Sequence, residues 1–543
     1  MAPVPFRHPL RYTSLAAVGI HLTSIVYLTY AIATGLYASY RSLSPAQDTR
    51  SRTAHRRRLV PTFLGLAAAA LALATYTSVA SASLSYKTWA YEHGLDRPER
   101  FTSEEEIFLE PEHSSKLNFL YIAHWLSDTS VYFEGLEIVA EKARRFWWGQ
   151  QIDLATVAFS VLLSIEGRRR NIPLTAGFLI LAHLVNLSFA QNLFYLALLL
   201  APSPLPTGNG GLQLPAVPVR LSMFIPPKPK DWHLHPSILL AALALNYVSI
   251  FLLPYAAETS SFATVALLTR ALTFLPLILP TIAPVSWGTV HSHPHDAYSS
   301  YTTIFRTISV ASFILHVKSS LAGLIYNIPN SHYHRHSTFF PWDMEERSNW
   351  ERSTTALGKI LGSVYDHPAV KAAGLDVLGC ALSLGLWAAV RATDIQDIIE
   401  STTPFCNFRR KIENAVDDKI PRTPIRVDSE PPEDAASEHS MTLRSRGRST
   451  KSRLGSVASS SGPSEEGVDN PGRKRGRSKR TKQPEEEKPY QPSSSEIREL
   501  AEGDVVPASE LDWESASLAW CLAAVAGLGS ASAGVFGGEC ISR

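Results

Sequence analysis

Runs of roughly twenty or more residues with few charges recur along this chain, and each is long enough to cross a bilayer core about 30 Å thick. That excludes an ordinary soluble domain. The candidate spans are Thr13–Tyr40, Leu59–Tyr86, Leu117–Ala140, Trp147–Glu166, Ile172–Ala201, Ser237–Ala257, Phe262–Val290, Ser299–Asn327, Ala369–Arg391 and Trp513–Gly537. The first is too long for the apolar stretch of a signal peptide and is expected to be retained. The fold class expected is all-α: a polytopic transmembrane bundle of about 9–10 spans, with a long polar insertion before the last helix.

Charge is distributed accordingly. Only 18% of the 543 residues are charged, and close to half of those lie between Arg391 and Asp512. The sequence divides into a transmembrane core at 1–394, a Ser/Arg/Glu/Pro-rich insertion at 395–511 and a final helix at 512–543. The insertion has too little apolar surface to offset its ordering entropy and is expected to be disordered. Its basic run from Arg473 to Arg480 reads as a solvated tract rather than a nuclear-import signal. A net charge of +2 argues for no nucleic-acid partner. Gly527, Gly529, Gly534, Gly537 and Gly538 in the last helix allow close approach of neighbouring backbones, so this helix should pack into the bundle.

The segment Leu117–Ala140 is the weakest span, because His124, Asp128, Glu134 and Glu137 lie inside it. The first loop is basic (Arg41, Arg50, Arg52, Arg56, Arg57, Arg58) and is assigned to the cytosol. If Leu117–Ala140 spans, the tail is cytosolic but Arg168–Arg170 fall on the disfavoured side. If it lies in the interface, the reverse holds. Spanning is favoured.

The same segment carries the candidate chemistry. A charge held in hydrocarbon costs at least ~2.5–3.5 kcal/mol, so acids placed there call for a reason. His124 and Asp128, four residues apart, share a helical face, and Glu134 and Glu137, three apart, share another. Two carboxylates on adjacent turns cannot both ionise cheaply, so one is expected to stay protonated and able to donate. The alternative is a polar interfacial face paired with Lys142 or Arg145. Asp153 lies one turn inside the next span and is a candidate partner or terminal base. Trp125, Tyr132, Trp147 and Trp148 are candidate walls for a cation. Ser188, Gln191, Asn192 and Tyr195 share a face that either orients a substrate or joins helices. Glu166 is expected to pair with Arg168–Arg170. Arg306, His316, Lys318 and Asp376 are functional candidates only by their position in or near spans.

Neither histidine cluster (His291, His293, His295 and His332, His334, His336) has a convincing ligand spacing, and the four cysteines form no metal or disulfide framework. No metal or cofactor is expected. Dinucleotide, P-loop, nucleophile-elbow and DDxxD signatures are absent, which argues against chemistry begun by diphosphate ionisation.

Glu137, then Trp147-Trp148-Gly149-Gln150-Gln151, Glu166-Gly-Arg-Arg-Arg-Asn-Ile-Pro173, Ser188-Phe-Ala-Gln-Asn-Leu-Phe194 and the terminal Gly538-Glu539 together resemble the fungal integral-membrane terpene cyclases of the ascofuranone and macrophorin type. The resemblance implies a metal-independent cyclase of fungal meroterpenoid biosynthesis in the endoplasmic reticulum. Such an enzyme protonates an epoxide or terminal alkene of a linear prenyl chain, and internal double bonds capture the cation. It assigns no catalytic residue here, and the compact family members lack the insertion. A proton-coupled transporter using the same carboxylates is the alternative, although no internal repeat is seen. A receptor-like protein whose tail recruits partners is a third reading.

Overall fold

A computed structural model describes residues 10–42, 53–93, 121–201, 228, 232–290, 297–334, 344–391, 393–404 and 511–541. They belong to one compact unit. The unit is an all-α bundle with two short two-stranded pairings. Its helices are α1 (Tyr12–Arg41), α2 (Thr53–Glu92), α3 (Val131–Glu141), α4 (Ala143–Arg169), α5 (Thr175–Leu184), α6 (Leu187–Leu200), α7 (Pro236–Ala256), α8 (Phe262–Leu272), α9 (Leu275–Ile282), α10 (Tyr298–Asn327), α11 (Asn349–Gly362), α12 (Pro368–Arg391), α13 (Ile395–Thr402), α14 (Trp513–Val525) and α15 (Leu528–Ile541).

Five of these (α1, α2, α7, α10 and α12) are long and apolar enough to cross a membrane, and α8 with α9 forms a sixth candidate bent by 55°. The bend follows from Pro276 at the start of α9, which cannot continue the hydrogen-bond ladder of α8. The protein is thus a multi-pass membrane protein, with fewer spans than the apolar runs suggested. Besides that bent run, the helix of the run Trp147–Glu166, α4, is not among the candidate spans, and three further runs are not straight crossings.

Leu117–Ala140 is not one helix. The described part is helical over 121–128, breaks at Thr129 and Ser130, and resumes as α3. Both pieces stay near one end of the bundle. Trp125 donates to Ser85 near the end of α2, and the Glu258 backbone N–H just after α7 donates to Glu137. The chain returns along the bundle through α4, buried among the other helices. Its first turn meets Asp366 through Arg144, and its last turn meets α15 through Arg169, which donates to the Cys540 carbonyl. The 27 residues of α4 extend about 40 Å, and most of them are buried by surrounding helices.

Ile172–Ala201 is a hairpin. Leu174, before α5, and Ala201, after α6, line one cavity together with Gly35 and Ser39 near the end of α1, so the chain enters and leaves at the same end. Trp513–Gly537 does the same. The Asp512 backbone N–H donates to the Ala389 carbonyl near the end of α12, while Glu539 in the last turn of α15 pairs with Arg391. Gly527, at φ +86°, turns the chain between α14 and α15, and a Cβ there would press on Gln151 and His316. Arg41, Arg168–Arg170 and Arg391 therefore collect at one end of the bundle. The clash between the basic first loop and Arg168–Arg170 disappears, because α4 and not Leu117–Ala140 brings the chain back.

All fourteen residues of α15 are buried, against α4, α10, α12, α13 and α14. Its glycines let these helices close in: a Cβ at Gly529 would lie 2.6 Å from that of Leu154, and one at Gly537 would strike Ser401. The last helix packs into the bundle as expected. The start of the expected disordered insertion is ordered, since α13 places Ile398, Ser401 and Thr402 against α15. The remainder of that insertion, beyond residue 404 and up to 510, lies outside the described residues.

Candidate functional site

The expected carboxylate pair on α3 separates. Glu134 turns towards α2, where the Ser85 hydroxyl donates to its Oε2 at 3.3 Å. Glu137 turns towards the loop after α7 and accepts the Glu258 N–H at 2.9 Å. That contact holds a backbone with Glu258 at φ +62° and assigns Glu137 a structural task. His124 is buried, whereas Asp128, four residues on, is exposed. The two do not form a buried pair.

Aromatic rings gather beside Ser85, the partner of Glu134. Trp125 donates its indole N–H to Ser85 Oγ at 3.2 Å, so an indole, a hydroxyl and a carboxylate follow one another. Trp125 meets Tyr86 edge-on at 5.7 Å, and Tyr86 stacks on Trp89 at 6.1 Å. Tyr132 and Phe133, on the same helix as Glu134, meet edge to face at 5.4 Å. No described residue hydrogen-bonds the second carboxyl oxygen of Glu134.

Tyr132 reaches the tip of the α5–α6 hairpin, where its hydroxyl donates to the His183 carbonyl at 3.3 Å. The His183 ring is fixed on both sides. Thr273 spends its one hydroxyl proton on the Arg270 carbonyl, so its oxygen accepts from His183 Nε2 at 2.8 Å. His183 Nδ1 then accepts from Arg270 at 3.1 Å, which makes the imidazole the neutral Nε2–H tautomer. The Arg270 guanidinium lies 5.5 Å from the centre of the Tyr132 ring and interacts electrostatically with part-buried Asp153. The His21 ring of α1 also lies 5.7 Å from that of Tyr132, tilted by 59°. Asp153 thus answers to Arg270 rather than to Glu137.

At the same hairpin tip, Asp376 of α12 accepts the backbone N–H groups of Leu187 and Ser188 at 3.0 and 2.8 Å. Asn186 caps α6 through Phe189 N and ties the tip to the Ala70 carbonyl. At the second tip, Gln151 Oε1 accepts Leu528 N at 2.9 Å while its Nε2 donates to His316 Nδ1 at 2.8 Å. Each hairpin therefore ends inside the bundle on a helix N-terminus met by a polar side chain of a long helix. Such a backbone break is tolerated at membrane depth because protein groups satisfy it.

The other expected site residues lie elsewhere. Trp147 donates to Ser320 and Trp148 to the Ile360 carbonyl, fastening α4 to α10 and α11. Asn192 donates to Ser383 and to the Ser188 carbonyl, and Gln191 donates to Tyr195. Tyr195 stacks flat on Trp387 at 4.4 Å. All four polar residues of α6 are thus buried; Ser188, Asn192 and Tyr195 join α6 to α12, and Gln191 holds the Tyr195 hydroxyl within α6. Glu166 pairs with Arg169 and Arg170, as expected. Of the histidine clusters, His332 and His334 fall in a short β-strand, and His291, His293, His295 and His336 lie outside the described residues. Arg270 and Ser85 were not singled out in the sequence, although an arginine within the apolar α8 was a readable signal.

No protein-family model matches the chain, and no curated protein or solved structure matches it.

Proposed function

We propose that the protein is a metal-independent membrane terpene cyclase of fungal secondary metabolism, acting on a hydrophobic prenylated small molecule drawn from the bilayer of the endoplasmic reticulum. One observation carries this reading: Glu134 holds one carboxyl oxygen on Ser85, keeps the other unengaged by described residues, and shares that serine with the indole of Trp125, which itself meets Tyr86 edge-on. In this reading the Glu134 carboxyl delivers a proton to an epoxide oxygen of the guest as the adjacent C–O bond breaks. An internal alkene then supplies the electron pair for the new C–C bond. Aromatic faces stabilise the cation, and the final proton leaves to Asp153 beside Arg270. Product and substrate are isomers. The direct test is to feed an epoxidised farnesyl phenol to membranes holding the full chain. A cyclised product of unchanged mass supports the reading, and none from active-control membranes overturns it.

The two interior hairpin tips favour a second reading, a proton-coupled transporter, since broken helices with N-termini inside the bundle are a recurring solution for solute sites. Proteoliposomes that accumulate the same compound chemically unaltered would select it.

A further inference from the structure

A cavity of about 100 Å³ lies at the arginine end, between the last turns of α1, the Arg170–Leu174 turn and the far end of α6. Its lining is mostly apolar, with Ile32, Leu36 and Phe178 among the residues, Ser39 and Asn171 are polar, and Arg170 is its one charged lining residue. One wall is α1, whose Tyr27, Tyr30 and Tyr37 are exposed on a helix apolar enough to face lipid.

Arg170, with its side chain 6% exposed, is held in place yet not consumed. Its Nε bonds Glu166 at 2.8 Å and its Nη2 lies 3.4 Å from Glu539, while no described residue accepts from Nη1. Glu166 and Glu539 are shared among three guanidiniums, those of Arg169, Arg170 and Arg391. Nε of Arg169 is buried without an acceptor among the described residues. Arg41, at the end of the α1 wall, lies over Tyr37 and has no ion pair with a described acid. The turn between holds Asn171 and Leu174 at φ 51° and 57°, and the α5 helix that follows starts without a side-chain cap. A fixed cation and an apolar slot, one wall of which is a helix apolar enough to face lipid, complement an anionic headgroup with an acyl chain attached.

We propose that this cavity binds an anionic phospholipid, one acyl chain between α1 and α6 and its phosphate on Arg170. The site stands apart from Glu134 and does not depend on the cyclase reading.

The test uses the full chain purified in neutral detergent and its thermal unfolding with dioleoyl phosphatidylserine, dioleoyl phosphatidylcholine or inorganic phosphate. Phosphatidylserine should stabilise at about one-tenth the concentration that phosphatidylcholine needs. Arg170 is left intact because it holds the ion network. Gly35→Phe fills the slot instead, since a Cβ there meets nothing within 4 Å, and Ser39→Glu sets a negative charge on the wall. Both variants should lose the phosphatidylserine preference. Equal response to the two lipids, an unchanged preference in both variants, or equal stabilisation by inorganic phosphate alone would overturn the assignment.

Discussion

Asp376 Oδ1 lies 2.8 Å from the backbone nitrogen of Ser188, joining a carboxylate of α12 to the start of a helix that begins inside the bundle. The positive end of α6 and its unpaired N–H groups would otherwise be stranded away from water. Asp376→Ala should therefore lower stability by about 2 kcal/mol, and Asp376→Asn, which keeps one carbonyl acceptor, by less. Thermal unfolding of the purified chain in detergent measures both. Equal loss in the two variants would show that volume rather than acceptance matters there.

The Arg391–Glu539 pair is bidentate, with contacts of 2.7 and 2.9 Å, and the carboxylate is fully buried. Removing Arg391 leaves the buried carboxylate its longer contact, 3.4 Å, to Arg170. Arg391→Met alone should cost about 3–5 kcal/mol, and adding Glu539→Leu should recover part of that loss. A double-mutant cycle on unfolding temperature reads the coupling.

Gly537 meets Ser401 so closely that any side chain must push α13 away. Gly537→Ala is expected to cost about 1–3 kcal/mol. Gly358→Ala on α11, where a Cβ meets nothing within 4 Å, should be neutral or slightly stabilising. The difference in detergent-solubilised yield and melting temperature between the two checks the packing.

Glu134→Gln should reduce cyclisation at least about a hundredfold if Glu134 is the acid. Asp128→Asn, at an exposed position, should leave it unchanged. Glu137→Gln should alter stability more than turnover, because its partner is the Glu258 backbone. Product formation per mole of folded protein separates these cases.

His367 lies just before α12, and its Nδ1 accepts the Ala369 N–H at 3.1 Å. Burial, and then the positive charge of Arg145, hold its pKa below the ordinary 6.5. The unfolded chain therefore takes up a proton that the folded one refuses. This contribution to stability is complete above about pH 6.5 and declines as pH falls towards the lowered value. His367→Gln should flatten the dependence of unfolding temperature on pH in that window.

Hydropathy made the crossing of α1, α2, α7, α10 and α12 legible, because a long apolar helix reads the same in sequence and in structure. It misread the two hairpins for the same reason. A 30-residue apolar run does not say whether it continues or turns back, and only Asn186 and Gly527 mark the turns. The pairing of Glu166 with its neighbouring arginines was readable from i,i+3 and i,i+4 spacing. The parting of Glu134 from Glu137 was not, since it depends on which helices pack beside α3. Nor was the Asp376–Ser188 contact, which joins residues 188 positions apart.

Between Thr402 and Trp513 the ribosome must add roughly 110 residues before α15 exists. At ordinary translation rates this takes on the order of ten seconds. In the finished fold α15 fills the space bordered by Leu154, Ser312 and Ser401, so that space has no occupant from this chain until α15 is made. The nascent chain must be shielded there, by lipid or by a membrane chaperone, until its innermost rod arrives.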